Sequence, residues 1–538
     1  MASIGRASAM LASGTIVSRL LGFVKAALLA QTLGIAFSFS GDAYATATTV
    51  PNSLYAIIAQ GILNAILVPQ IVRASSHPDG GKAYINKLLT IGLLIFAAIT
   101  VVGTVFAPLL MVLYGTKPPQ SELATAFAYW SLPQIFFLGL YTLLGEVLNA
   151  RKSFGPFTWA PVANNVVGIT MLLIFIAVFG ADSQGHRLVS DWTPPMIALL
   201  AGGATLGIAV QALLLFAFWR RVGLKFRPDF VWRGVNLGHA GKAAGWTFAM
   251  LIATQLGGLV QTNVSNSASG HGASTLTLTN AWLVFMLPHS IVTVSVVTAY
   301  YTRMAEHAHR GDMLSFRVDY SAAMRAISLI IVLASAVLIV VAYPFARIFA
   351  STFTGVEAMG NVLIAFLIGL VPYCILFITQ RAFYALSDTR TPFLFTLVQV
   401  SIVIVGVLAC FALPPVSRAA GIGVVVSVAG TVQALIAAIL LRRRLGGIDA
   451  ARIMRSLSRY LAGGVVALVA GGLLLFALGG TRQGGFAVNG IIGSLVSMAV
   501  IGVVMSIVYL VVLRLLRSPE LADATATISR RLRRGSNG

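Results

Sequence analysis

Apolar runs of about twenty residues or more follow one another along almost the whole chain, and no other feature narrows its possible folds so far. Twenty consecutive apolar residues are the length at which an α-helix crosses the hydrocarbon core of a bilayer. A transmembrane β-barrel would instead alternate apolar and polar residues along short strands, and these runs do not alternate. Composition agrees: 58% of the 538 residues are hydrophobic and 10% are charged, against about 25% charged in soluble domains. A soluble multidomain enzyme is excluded. So is a disordered basic chain, which would lack the apolar mass. The sequence reads as an all-α polytopic membrane protein.

Fourteen transmembrane helices are expected, near 7–35, 42–72, 88–114, 122–149, 156–180, 194–219, 240–267, 274–302, 322–350, 358–385, 391–413, 418–441, 456–479 and 487–516. The formal net charge of +22 would suit a nucleic-acid partner, but its distribution has a simpler cause. Almost all Lys and Arg fall in loops that this reading puts on one side. They include Arg151 and Lys152, the group Arg220–Arg233, Arg442, Arg443, Arg444 and the arginines from Arg514 to Arg534. Only Lys117, Arg187, Arg418 and Arg482 fall on the other side, and Arg19, Lys25, Arg325 and Arg347 lie within spans. The positive-inside rule then places both termini in the cytoplasm and removes the need for nucleic acid. The N-terminus lacks the build of a cleavable signal peptide. Cys374 and Cys410 both sit inside apolar runs, so no disulfide framework is expected.

An internal repeat organises the spans. Val50-Pro51-Asn52-Ser53 recurs as Leu287-Pro288-His289-Ser290 at an offset of 237 residues. The turn Leu148–Phe157, with Gly155-Pro156-Phe157, resembles Tyr384–Phe393, with Thr391-Pro392-Phe393, at an offset of 236. Two matches at nearly one offset imply two pseudo-repeated six-helix lobes, 1–222 and 223–445. Two further helices follow over 446–517, then a basic cytoplasmic tail over 518–538. Transporters are commonly built from such repeats, with the substrate between them.

Several residues break the apolar pattern. Arg19 and Lys25 lie about 9 Å apart along the first helix, with no acidic residue in that span. An intramembrane cation faces a cavity or a partner, or snorkels to the headgroups. Snorkelling is open to Arg19, while Lys25 lies too deep for it. Cations without paired carboxylates favour an anionic, phosphate-bearing substrate. Asn52 and Gln60 in span 2 are candidate substrate contacts, although singly such amides read first as glue between helices; the polar string of span 7, with Gln255 and Asn263, is too long for ordinary glue and suggests a wet cavity wall that contacts substrate. His289 reads first as an interhelical hydrogen-bonding group. Asp42 is read first as the N-cap of its own helix, and a gating role is kept beside it. Pro51, Pro288, Asp388 and Arg390, at the repeated positions, are assigned to gating or structure. Gly463, Gly464, Gly471 and Gly472 in span 13 suit a shallow lipid groove or close helix packing.

Catalytic patterns are missing. No DxD, HExxH or Walker A string occurs, and neither 240–302 nor 391–416 contains an Asp or Glu. A transporter without cofactor or metal is expected rather than an enzyme.

Ser18-Arg19-Leu20-Leu21-Gly22-Phe23-Val24-Lys25, Gly41-Asp42-Ala43, Val50-Pro51-Asn52-Ser53-Leu54, Gln60-Gly61, Val68-Pro69 and Phe383–Pro392 resemble the MurJ/MviN family of lipid II flippases, in the MOP exporter superfamily. The resemblance covers residues 7–517. It implies alternating access of two lobes around a cationic cavity, in the bacterial inner membrane. Its substrate would be an undecaprenyl-pyrophosphate-linked peptidoglycan precursor. It also implies a groove for the polyprenyl tail on helices 13 and 14, with membrane lipids and cell-wall synthesis or division proteins as partners. Arg19, Lys25 and Asp42 match the family's charged positions. The chain departs from the pattern where Tyr55 and Ala56 replace a basic pair, and where Trp282 or Leu283 replaces an arginine. The carboxylates of the sodium site proposed for some members are also missing. Two rivals stand beside this reading: a MOP exporter of another lipid-linked saccharide or a drug, and a non-transporting membrane scaffold.

Overall fold

A computed structural model describes residues 2–59, 81–151, 153–219, 226–230 and 241–522. Among the described residues the secondary structure is helical, without strands. The main helices are α1 (Ala2–Leu33), α2 (Phe39–Ile58), α3 (Lys82–Val105), α4 (Gln120–Ser131), α5 (Gln134–Ala150), α6 (Phe154–Phe179) and α7 (Gly203–Trp219). They continue as α8 (Gly241–Asn266), α9 (Thr275–Pro288), α10 (Val294–His309), α11 (Met313–Val340), α12 (Phe353–Leu367) and α13 (Leu370–Ala385). The last four are α14 (Arg390–Ala409), α15 (Pro415–Leu445), α16 (Ala450–Ala477) and α17 (Ile491–Leu515).

Each expected span meets a helix, although the second runs on beyond the described residues. Eleven segments are long and apolar enough to cross a membrane, or twelve if α12 and α13 form one span bent by 42°. The bend falls at Gly369, with Pro372 in the next turn, where a missing side chain and a missing N–H weaken the ladder. The two remaining expected spans are α2 and α8, whose polar residues set them apart from the rest.

The chain divides into two compact units, 1–276 and 277–538. In the first, α6 packs against α1 and α7, and α2 packs against α4. The buried N-terminal half of α2, from Ser40 to Ala47, consists mostly of small residues, which let backbones approach closely. In the second, α16 packs between α11 and α17 around Val332, Tyr460, Ala467, Met505 and Tyr509. Tyr509 donates to the Leu329 carbonyl at 2.9 Å, so its buried hydroxyl is satisfied. The large exposed residues form lipid-facing stripes, such as Val465, Val469, Leu473 and Phe476 on α16. On a soluble protein such stripes would be an anomaly; in a bilayer they are the required surface.

Candidate functional site

The α1 cations are positioned by the seam between α1 and α6. Asn165 on α6 donates to the Ser18 carbonyl at 2.8 Å, fixing the two helices in register. One turn further along α6, Gly168 leaves room for the Lys25 side chain. A Cβ at Gly168 would stand 2.7 Å from Lys25 Cε and 3.0 Å from Nζ. Lys25 is half-buried there, and Arg19 is exposed. Six residues of helix separate the two by about 120° around the axis, so the first unit does not bring them to one point. Among the described residues neither has a hydrogen-bond or ion-pair partner.

Asp42 does something the sequence reading did not anticipate. The N-cap of α2 is Ser38, whose hydroxyl accepts from the Gly41 N–H at 3.0 Å. Asp42, 3% exposed, instead accepts from the Ser269 hydroxyl at 2.7 Å and from the Leu276 N–H at 3.0 Å. It therefore caps α9, a helix that begins 233 residues further on, rather than its own. The expectation that Asp42 caps its own helix is therefore corrected. Beside it, the Asn266 amide donates to Thr46 and to the Tyr114 carbonyl, both at 2.9 Å, and its oxygen accepts from Thr275 at 2.7 Å. The Gln120 amide donates to Ser269 at 2.9 Å. Together these bonds pin the turn after α8 to α2 and α4.

The polar string of α8 thus serves two ends. Its C-terminal part is glue: Asn266 is bonded as described, and Asn263 donates to the Leu113 carbonyl at 3.2 Å. Further along the helix, Gln255 is half-buried and, among the described residues, has no hydrogen-bond partner. Asn52 is exposed and turns its amide back to the Thr48 carbonyl at 2.8 Å. Pro51, one residue before it, is buried in the interior of α2. Gln60 lies outside the described residues.

In the second unit, Pro288 ends α9 and a π-helical turn, His289–Thr293, follows before α10. Such turns insert one extra residue and recur at functional sites. His289 is buried edge-on between Tyr373 and Phe377, with the Cys374 sulfur 3.6 Å from Nδ1. Asp388 accepts from both the Thr391 N–H, at 3.0 Å, and its hydroxyl, at 2.7 Å, and so caps the first turn of α14. Arg390 opens that helix and is exposed.

A family model described as lipid II flippase MurJ matches residues 29–495. The chain belongs to the MurJ family of lipid II flippases. It is 26% identical over 455 residues to a probable lipid II flippase MurJ of Rhizobium meliloti (strain 1021), covering 81% of this chain and 80% of that one. It is 24% identical over 402 residues to the counterpart in Buchnera aphidicola subsp. Acyrthosiphon pisum (strain APS), covering 71% and 74%. A solved structure of a lipid II flippase MurJ in an inward closed conformation has the same fold, with a TM-score of 0.71 at 20% identity over 94% of this chain and 99% of that one. An inward-facing multidrug resistance transporter of the MATE family, in the MOP superfamily, gives 0.63 at 16% identity over 80% and 96%. Family membership and the run of apolar helices make the chain a multi-pass protein of the bacterial inner membrane.

Two of the residues that stand where the resemblance implies cations, Tyr55 and Trp282, are engaged in packing. Tyr55 bonds its hydroxyl to Thr142 on α5 and packs against Phe96. Trp282 stacks on Phe285 at 4.8 Å and meets Phe366 and Tyr373 edge-on. Neither side chain supplies a positive charge there.

The second unit also carries an apolar groove of about 650 Å³, walled by α11, α13, α15 and α16. Span 13 contributes one wall through Ile453, Leu457, Leu461, Gly464 and Leu468. The residues lining it include none from span 14, which packs on another face of α16. The four glycines divide accordingly: added Cβ atoms at Gly463 and Gly471 would press on Tyr509 and Met505 of α17, and one at Gly464 on Val332 of α11. Gly472 has open space beside it.

Proposed function

We propose that this chain moves the undecaprenyl-pyrophosphate-linked peptidoglycan precursor, lipid II, from the inner to the outer leaflet by alternating access. The observation that carries the reading is the match to the lipid II flippase family over residues 29–495. The two unpartnered cations of α1 agree with it. In this mechanism fourteen helices cross the membrane with both termini in the cytoplasm, and lobes 1–222 and 223–445 rock about the substrate. Arg19 and Lys25 receive the diphosphate, whose charge an apolar path could not carry alone. Gln255, Asn52 and Gln60 offer neutral hydrogen bonds to the headgroup. Asp42 holds α2 to the turn before α9 until the substrate's passage requires that contact to break. The apolar groove receives the polyprenyl chain while the headgroup crosses.

Export of a cationic drug would call for carboxylates along the path, and 240–302 and 391–416 have none. The test is complementation of a depletion strain, with lipid II on the outer leaflet as the readout. Lys25→Ala should abolish complementation while the protein remains folded and inserted. Full complementation by the Arg19→Ala, Lys25→Ala double variant would remove the diphosphate role.

A further inference from the structure

One face of α13 carries Tyr373, Phe377, Arg381 and Tyr384, spaced by four, four and three residues, so that they form one stripe along the helix. Tyr373 and Phe377 hold His289 between them. One turn further on, the guanidinium carbon of Arg381 lies 5.1 Å from the centre of the Phe377 ring and 5.9 Å from that of Tyr384. A third ring, Tyr301 on α10, closes in at 5.9 Å. Among the described residues Arg381 has no hydrogen bond and no ion pair. The three rings hold its charge without cancelling it, since a ring attracts a cation through its quadrupole and carries no net charge.

A cation near the end of a membrane helix is ordinarily explained by the positive-inside rule or by snorkelling to the headgroups. Arg390 fits that description, being exposed at the start of α14. Other arginines are taken up by partners: Arg303 by Asp319 at 2.6 Å, Arg325 by Glu520, and Arg347 by the Ala350 carbonyl. Arg381 is instead half-buried among its rings, its side chain ordered in advance and its N–H donors unused. No carboxylate stands ready to claim it, because α13 has no acidic residue and α10 has none before Glu306.

The surroundings supply a second donor. Gln380 donates its amide to the Tyr384 hydroxyl at 2.9 Å, so that hydroxyl accepts there and keeps its own proton for another acceptor. Tyr301 borders a face of α10 that exposes Ser295, Thr298 and Thr302. The lipid-facing stripe of α16 has Val465, Val469 and Leu473 instead. A hydroxyl-bearing face beside a caged cation suits water and polar cargo.

We infer that Arg381, with the Tyr384 hydroxyl beside it, binds an oxyanion of the transported headgroup, a phosphate or a carboxylate. The inference rests on the flippase reading and gives the second unit a substrate-binding cation of its own. The diphosphate of the lipid carrier and the carboxylates of the peptide are the two sources of that oxyanion. A guanidinium pinned by rings offers its planar set of donors in a fixed direction, which matches two oxygens of either group. On the orientation proposed above, α13 ends in the cytoplasm, so the contact is available as the cargo enters.

The experiment uses the full chain in nanodiscs of phosphatidylethanolamine and phosphatidylglycerol, titrated with fluorescent lipid II, undecaprenyl diphosphate and neutral undecaprenol. Arg381→Gln should weaken lipid II binding at least about tenfold, the scale of a lost charged hydrogen bond, and leave undecaprenol binding unchanged. Arg381→Lys keeps the charge but not the planar fork, and should lose only about threefold, as should Tyr384→Phe. An equal loss for undecaprenyl diphosphate assigns the contact to the phosphates, and a loss confined to lipid II assigns it to the peptide carboxylates. Lipid II binding by Arg381→Gln equal to that of the parent chain would overturn the site. So would equal weakening of all three probes, the mark of a cation that only rivets α13 to α10. Should Arg381→Gln fail to fold, the same comparison is made with Arg381→Lys. Lipid II flipping by the parent chain is measured alongside. Flipping without Arg381-dependent binding refutes the site alone. Arg381-dependent binding without any flipping refutes the flippase reading alone.

Discussion

A single residue, Asp42, shows how far sequence spacing reaches and where it stops. Its acidic character and its place at a helix start were plain, but not its partners, because Ser269 and Leu276 lie more than 220 residues away. A local rule offered the nearest helix N-terminus, and the fold supplied a different one. Lys25 behaved in the opposite way. Its exceptional character was legible from the lack of any neighbouring acid, while the reason it can lie in the seam, Gly168, was not. Hydrogen bonds to a buried charged group contribute about 1.5–3 kcal/mol, more than the roughly 0.6 kcal/mol average between membrane helices. Asp42→Ala should therefore lower the thermal midpoint of the detergent-solubilised protein clearly, and Asp42→Asn should recover part of the loss. An Asp42→Ala midpoint equal to that of the parent would show that the two bonds contribute nothing.

Among the elements, helices made of long apolar runs were easy to place, whereas contacts between distant segments were not. The rings around Arg381 and the docking of the chain after α17 belong to the second kind. α17 ends in a tight turn, with Arg517 in the left-handed region and the Ser518 N–H bonded back to the Leu513 carbonyl at 3.0 Å. This turn carries Glu520 inward to Arg325 on α11, at 2.5 Å, with both side chains 11% exposed. Ser456 on α16 donates to the same carboxylate at 3.0 Å. Arg325, which the sequence places inside a span, is thus a paired residue rather than a substrate ligand. Burial acts to raise the Glu520 carboxyl, but the hydrogen bonds from Arg325 and Ser456 outweigh it and bring the group down to about 2. A depressed carboxyl stabilises the fold above its unfolded value of 4.5, and the contribution disappears as pH falls from there towards 2. Glu520→Gln should lower the thermal midpoint at pH 7 and make it less steeply dependent on pH between 4.5 and 3. Parallel pH profiles for the variant and the parent would show that the ion pair does not tie the end of α17 to α11 and α16.

For the molecule as a whole, the charge distribution bears on how transport is driven. The +22 charge gathers at loops of one expected side and so says little about the pathway; the charges within spans say more. Moving one elementary charge through the full field is worth about 2.3 kcal/mol per 100 mV, or about a fiftyfold shift between two states. A dedicated sodium or proton site needs carboxylates on the path, and 240–302 and 391–416 supply none. Asp42, a buried acid of the first unit, is already occupied by Ser269 and Leu276. On the proposed mechanism, Lys25 is the charge that faces first one aqueous side and then the other as the lobes rock. In the empty carrier that movement would sense the potential directly, and a bound diphosphate would cancel much of the moving charge. Loaded and empty states should therefore respond differently to voltage. In proteoliposomes with the potential clamped by potassium and valinomycin, flipping should depend on the potential and persist when sodium is replaced by choline. Lys25→Gln should flatten that dependence. Transport that stops on removal of sodium at constant potential would place the coupling in a cation site built from backbone carbonyls and hydroxyls, and not in Lys25.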